Sequence, residues 1–228
     1  MSLIPWQQKK YNGVLLLENL HGEFLSLILD KLDIGHEASL SLCLSSCRPE
    51  EGVSTIIFNM AVALSRNTDR RILVVDANTR KPQLHSWFGI PKGAPGLIDV
   101  LTGQACFEEV LNKDAKNNFS FIPTGMETQH PIVLFEGKTI DDFLDEARQQ
   151  FDILLFDSPA LVIGPETSVL ARKLDGLIMV IEAEKTRWEV STYHKQQLVE
   201  AGVCLTGAIL NKKKMFIPKL FYRLMLAD

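Results

Sequence analysis

No apolar run in this 228-residue chain approaches the roughly 18 residues of a membrane span, and its start lacks the charged-then-apolar layout of a secretory signal. The expected location is therefore the cytoplasm. The four cysteines, Cys43, Cys47, Cys106 and Cys204, follow no zinc spacing and form no obvious disulfide framework. The five histidines are scattered without ligand spacing. A formal charge of −4 gives none of the clustered basic surface that nucleic acid requires, so no nucleic-acid partner is expected. Repeats, low-complexity stretches and linkers are absent. What remains is a chain with 46% hydrophobic residues, long enough to bury a substantial core as one domain.

Glycine is also scarce where it matters most. Ser46-Cys47-Arg48-Pro49-Glu50-Glu51-Gly52-Val53-Ser54-Thr55 follows a strand-like run at 40–44 and precedes helically spaced apolar residues, Ile56, Ile57, Met60, Ala61, Ala63 and Leu64. This is the setting of a phosphate-binding loop. There, backbone N–H groups cradle phosphates, a Lys after the last Gly reaches the outer ones, and the next hydroxyl holds Mg²⁺. Here the Lys position is Val53. Taken alone, the stretch reads equally well as an ordinary strand-to-helix turn.

Two later segments favour the phosphate loop. Ile72-Leu73-Val74-Val75-Asp76 and Phe151-Asp152-Ile153-Leu154-Leu155-Phe156-Asp157 are apolar strands, each delivering a carboxylate at its C-terminal end. In an open parallel sheet, ligands bind outside the carboxyl ends of strands, so both carboxylates would face the loop. Strand patterns at 40–44, 71–76, 119–122, 153–157, 176–181 and 204–210 alternate with helical patterns at 54–67, 97–101, 139–150, 166–173 and 188–201. A further helix, rich in Leu, Ile and Phe, is expected at 14–32. The expected fold is α/β, a doubly wound, mostly parallel sheet. The expected division is an N-terminal helical segment at 1–39, the loop-bearing domain at 40–211 and a basic, apolar tail at 212–228.

On these residues the chain resembles the cytoplasmic domain of bacterial tyrosine kinases that partner polysaccharide co-polymerases in capsule and exopolysaccharide export, within the partitioning-type P-loop ATPases. The family loop Pro-Gly-Glu-Gly-Lys-Ser-Thr falls on Pro49 to Thr55, and Asp-x-Asp-x-Arg-x-Pro falls on Asp76 to Pro82. Phe88-Gly89-Ile90 and Gly96-Leu97-Ile98-Asp99-Val100-Leu101-Thr102-Gly103 continue the likeness, and Asp157-Ser158-Pro159 matches the third motif. The likeness covers about 40–211.

The resemblance implies Mg-ATP or Mg-ADP as ligand, with Pro49, Glu51, Gly52, Val53, Ser54, Thr55 and Arg80 around the phosphates and Asn211 at the adenine edge. It implies Ser54 and Asp157 as Mg²⁺ ligands, and Asp76 and Asp157 as the catalytic carboxylates. Simpler readings stand beside these: Ser54 as a helix cap, the two aspartates as surface strand ends, Arg80 and Lys81 as a solvated loop face, Asn211 as a turn former. Asn78 replaces a family carboxylate and cannot ionise. Cys43 and Cys204, in apolar runs, read as small buried hydrophobes, whereas loop amides around Cys47 would lower its thiol pKa.

Val53 removes a cation and Glu50, where the family has Gly, adds an anion. A unit charge at about 4 Å is worth roughly 1 kcal/mol in water and ~4 kcal/mol at an effective dielectric near 20. Arg48 is the cation within the loop that could substitute. The family's C-terminal Tyr cluster is reduced to Tyr222, and its Glu-x-x-Arg-x-x-Arg ring motif survives at Glu23 with Ser26 and Leu29 in place of the arginines. The reading is a degenerate member of this kinase family, a regulator or scaffold in exopolysaccharide synthesis with weakened or lost ATP use. Its partner would be a polysaccharide co-polymerase or another inner-membrane export protein, or further copies of itself. The basic, aromatic-rich tail suits peripheral contact with the inner membrane or docking on the domain itself. An active tyrosine kinase or ATPase with a rearranged cation, and a partitioning-type ATPase that positions cargo at a membrane, are the alternatives.

Overall fold

Strand β3 (Leu40–Ser46) is buried along its whole length, which its alternation explains. Leu40, Leu42 and Leu44 point into one hydrophobic layer and Cys43 into the other. The same period divides β4 (Ile72–Asp76), with Ile72 and Val74 on the first face and Leu73 and Val75 on the second. It also divides β7 (Ile153–Asp157), with Ile153 and Leu155 against Leu154 and Phe156. Strands apolar on both faces must be covered on both, which is the condition for a parallel sheet with helical crossovers.

The computed structural model describes residues 9–11 and 14–16 as backbone, and residues 39–114 and 118–212 in full. With β5 (Asn112–Asp114), β6 (Phe119–Ile122), β8 (Gly176–Glu182) and β9 (Leu205–Asn211), the main sheet runs β5-β6-β4-β7-β3-β8-β9. All neighbours pair in parallel except β5 with β6. The α/β, mostly parallel, doubly wound fold is thus observed.

Helix α1 (Val53–Asn67) covers one face, burying Ile56, Ile57, Phe58, Met60 and Leu64. The short α2 (Leu84–Trp87) adds Leu84 there. On the other face lie α3 (Leu97–Leu101), α4 (Phe107–Val110), α5 (Pro131–Glu136), α6 (Lys138–Gln150), α7 (Glu166–Ala171) and α8 (Trp188–Glu200), which contribute Leu97, Phe107, Phe135, Phe143, Leu170 and Leu198. Adjacent strands β3 and β7 lead into α1 and α7, on opposite faces. Their connections diverge, opening a crevice at the carboxyl end of the sheet.

Two expectations are corrected. Residues 14–16 are strand β2 (Val14–Leu16), paired antiparallel with β1 (Lys9–Tyr11), and do not begin a helix. Tyr11 pairs with Val14. The rest of the helix expected at 14–32, the ring motif at Glu23 and the tail from 213 onward lie outside the described residues. Cys204 is exposed, because β9 begins one residue later at the sheet edge. Among the described residues no helix is long and apolar enough to cross a membrane.

Candidate functional site

The loop between β3 and α1 is shaped by two left-handed residues, Glu50 at φ 68° and Gly52 at φ 97°. Gly52 is required twice over. Its backbone lies where other residues are strained, and a Cβ would collide with the Asn211 amide. Gly52 is the N-cap of α1, and no side chain caps this end. The helix's first amides, which have no intrahelical acceptor, are left to face the crevice. Ser54 lies one position inside the helix start, and its hydroxyl donates to Asp157 Oδ2 at 2.6 Å. The helix-cap reading of Ser54 is therefore set aside.

Asp76 and Asp157 are direct neighbours across β4 and β7. Both are buried. Burial pushes Asp76 up to about 7, against the pull of backbone amides at Asn78 and Leu84. Burial, reinforced by the charge of Asp76, holds Asp157 well above the usual carboxylate range. Two carboxylates this close and this dry share a proton rather than both ionising. The surface strand-end reading fails for both.

They differ in what they face. Asp157 lines a cavity of about 560 Å³, and its Oδ1 is buried without a hydrogen-bond partner among the described residues. Asp76 is turned away, its oxygens accepting the N–H groups of Asn78 (3.1 Å) and Leu84 (3.3 Å). It organises the loop after β4. Asn78 does the same further along, its Oδ1 accepting from the Arg80 and Lys81 amides at 3.3 and 3.0 Å.

Of the residues that the resemblance implied for nucleotide, Pro49, Gly52, Val53, Ser54, Thr55 and Arg80 line the cavity, and Glu50 joins them. Glu51 and Asn211 do not; they brace the loop from behind. Glu51 is buried and accepts from the Arg48 amide (3.0 Å), the Glu182 amide (3.4 Å) and the Thr186 hydroxyl. Asn211 donates its side-chain N–H to the Glu51 carbonyl at 2.8 Å. Cys47 is fully buried, and its thiol is pushed up to about 11, chiefly by burial with Glu51 adding to it, so the expected lowering by loop amides is overturned. Burial likewise raises Cys43 to about 12.

The cations around the cavity are the least anticipated part. Arg48 is exposed and does not line it. Arg80, Lys81 and Lys212 do, and each already meets a carboxylate. Arg80 Nε lies 2.7 Å from the buried Glu166, Lys81 Nζ 3.2 Å from Glu50, and Lys212 Nζ 3.2 Å from Glu182. Val53 itself is buried in the layer under α1. Lys212, Glu166 and Glu182 were not foreseen, and for Lys212 the signal was only its place next to Asn211.

The donor set fits a hard divalent ion in part. A hydroxyl and a carboxylate with one unpartnered oxygen stand together at the cavity wall, the chemistry Mg²⁺ prefers. An uncapped helix start and a left-handed glycine suit phosphate. Position 53 contributes no charge.

No protein-family model matches the chain. It is 29% identical over 175 residues to tyrosine-protein kinase YwqD of Bacillus subtilis, covering 77% of this chain and 73% of that protein. It is 31% identical over 168 residues to the protein EpsB of Ralstonia solanacearum, but spans only 22% of that protein's length. In fold it matches the kinase domain of Escherichia coli tyrosine kinase ETK, with a TM-score of 0.78, 20% identity and coverage of 93% of this chain and 84% of that one. MinD of Pyrococcus horikoshii, solved with Mg-ADP, matches with a TM-score of 0.64 at 21% identity, covering 81% and 76%.

Proposed function

From the premise that the chain is, by sequence and fold, a relative of the bacterial tyrosine-protein kinases, we propose that it is a regulatory or scaffolding member of that group in capsule or exopolysaccharide synthesis, holding a Mg-nucleotide weakly and transferring no phosphoryl group at a useful rate. The observation that carries this reading is Val53, an apolar side chain packed into the core where phosphoryl transfer calls for a cation.

When bound, Mg²⁺ would neutralise charge that develops on transfer. Ser54 and Asp157 are the residues that would hold it. The first amides of α1, with Gly52 and Thr55, would receive the phosphates. Arg80 would face their outer oxygens from its pairing with Glu166. Asp76, whose oxygens are engaged by amides, would keep the loop after β4 in place and share a proton with Asp157. Asn211 would stand behind the loop near the nucleotide's base. These groups support positioning. Transition-state charge, normally met by the missing lysine, has no dedicated partner at position 53.

A protein that binds without turnover acts through its conformation, so the proposed partner is a membrane polysaccharide co-polymerase or another inner-membrane export protein, with self-association as a second mode. Domain 40–211 would carry the site, and the flanking segments 1–39 and 212–228 would supply contacts to partner or membrane. Titration calorimetry with MgATP, paired with phosphate-release assays, tests the reading. A micromolar or tighter site together with steady hydrolysis would replace it with an active kinase or ATPase.

A further inference from the structure

The lysine absent from position 53 has a candidate successor at the far end of the chain. Lys212 directly follows β9, and its backbone adopts a left-handed conformation at φ 56°, uncommon for a residue with a side chain. That turn sends the side chain back over the phosphate-type loop. Its Nζ donates to the Glu50 carbonyl at 2.6 Å and meets Glu182 Oε2 at 3.2 Å. It shares a cavity wall with Ser54 and Asp157. An ammonium carries three donors, so the two contacts leave one without a partner among the described residues.

The neighbouring cations are less suited. Lys81 is paired with Glu50, the extra anion of the loop, at 3.2 Å with both side chains largely exposed. Arg80 is tied to a fully buried carboxylate that would be left uncompensated by its departure. Lys212 is anchored by a neutral carbonyl on the loop itself, and its backbone is fixed by the adjacent Asn211 amide on the Glu51 carbonyl.

We propose that Lys212 is the phosphate-binding cation of this site, supplied from the end of the last strand and directed at the β-phosphate of a bound nucleoside di- or triphosphate. The assignment rests on the nucleotide reading of the cavity given above. Because the ammonium also serves Glu182, it gives weaker binding than a lysine dedicated to phosphate.

The test is MgADP binding to the full chain, measured by titration calorimetry and ligand-observed NMR up to millimolar concentration. Lys212→Ala is expected to weaken binding at least tenfold, Lys212→Arg to retain it within about threefold, and Val53→Lys in the Lys212→Ala background to restore it. Unchanged MgADP affinity in Lys212→Ala overturns the assignment while leaving the nucleotide site standing. So does a Lys212→Arg protein as weak as Lys212→Ala, since shape rather than charge would then be at work. If the unaltered protein binds neither MgADP nor MgATP, the nucleotide reading itself falls, and this assignment with it.

Discussion

Ser54 and Asp157, 103 residues apart in sequence, are joined by a 2.6 Å hydrogen bond at the carboxyl end of the sheet. The contact ties the first turn of α1 to the end of β7 and holds in place the two oxygens that would hold Mg²⁺. The proposed reading is an intact scaffold with altered charge, and the expected outcomes below test it.

Restoring a lysine at position 53 tests the rearrangement directly. Val53→Lys with Glu50→Gly is expected to tighten MgATP binding by roughly 2 kcal/mol or more. Most of this belongs to position 53. The Glu50 charge is exposed and already faces Lys81, and such pairs are worth about 0–1 kcal/mol, so Glu50→Gly alone should shift the dissociation constant by less than about fivefold. Calorimetry on the single and double variants reads both values.

Incubation with MgATP should leave Tyr11, Tyr193 and Tyr222 unmodified. Tyr193 is exposed on α8, its ring against His194, so access is not what protects it. Intact-mass spectra should show no added phosphate, and several added groups would speak for an active kinase.

The buried carboxylate pair gives stability a definite pH slope. Asp76 has a folded value near 7 against an ordinary 3.8, so between these the folded chain holds a proton that the unfolded chain has released. The stabilising contribution is complete below the unfolded value and is lost as pH rises through about 7. Asp157→Asn replaces a carboxyl that the fold must hold protonated with a neutral amide. It is expected to raise the melting temperature at pH 8 by about 3–10 °C, equivalent to roughly 1–3 kcal/mol, and to flatten the slope between pH 5 and 8. Scanning calorimetry across that range checks the sign, and an unchanged slope would contradict it.

Thiol chemistry should divide the cysteines in two. Cys106 and Cys204 are exposed and should react with a maleimide under native conditions. Cys43 and Cys47, buried and raised to about 12 and 11, should react only after unfolding. Mass spectrometry before and after guanidinium addition counts them.

Much of the fold was legible because it rests on local periodicity. Strands such as Ile72–Asp76 and Ile153–Asp157 announce themselves by apolar runs that end in a carboxylate, and helices such as Lys138–Gln150 by spaced apolar residues. The loop was legible because its geometry needs Gly52 and Ser54 at fixed positions. The paired strands at 9–11 and 14–16 were obscured by the Leu-, Ile- and Phe-rich run from 14 onward, which reads as a helix. The charge arrangement was hidden for another reason. Arg80 with Glu166, and Lys212 with Glu50, are pairs 86 and 162 residues apart, joined only once the sheet has formed. Burial of Cys47 was likewise set by a distant segment, β8, where its thiol meets Met179.

The brace from Asn211 to Glu51 has a bearing on synthesis. The loop at 46–54 leaves the ribosome long before the strand that holds it, and β9 is both last in the main sheet's chain order and outermost in it. A nascent chain released before β9 would carry β3, α1, β4 and β7 with the loop unbraced from behind and without Lys212. On the proposed reading, nucleotide capture by this scaffold would therefore require β9 to be in place behind the loop.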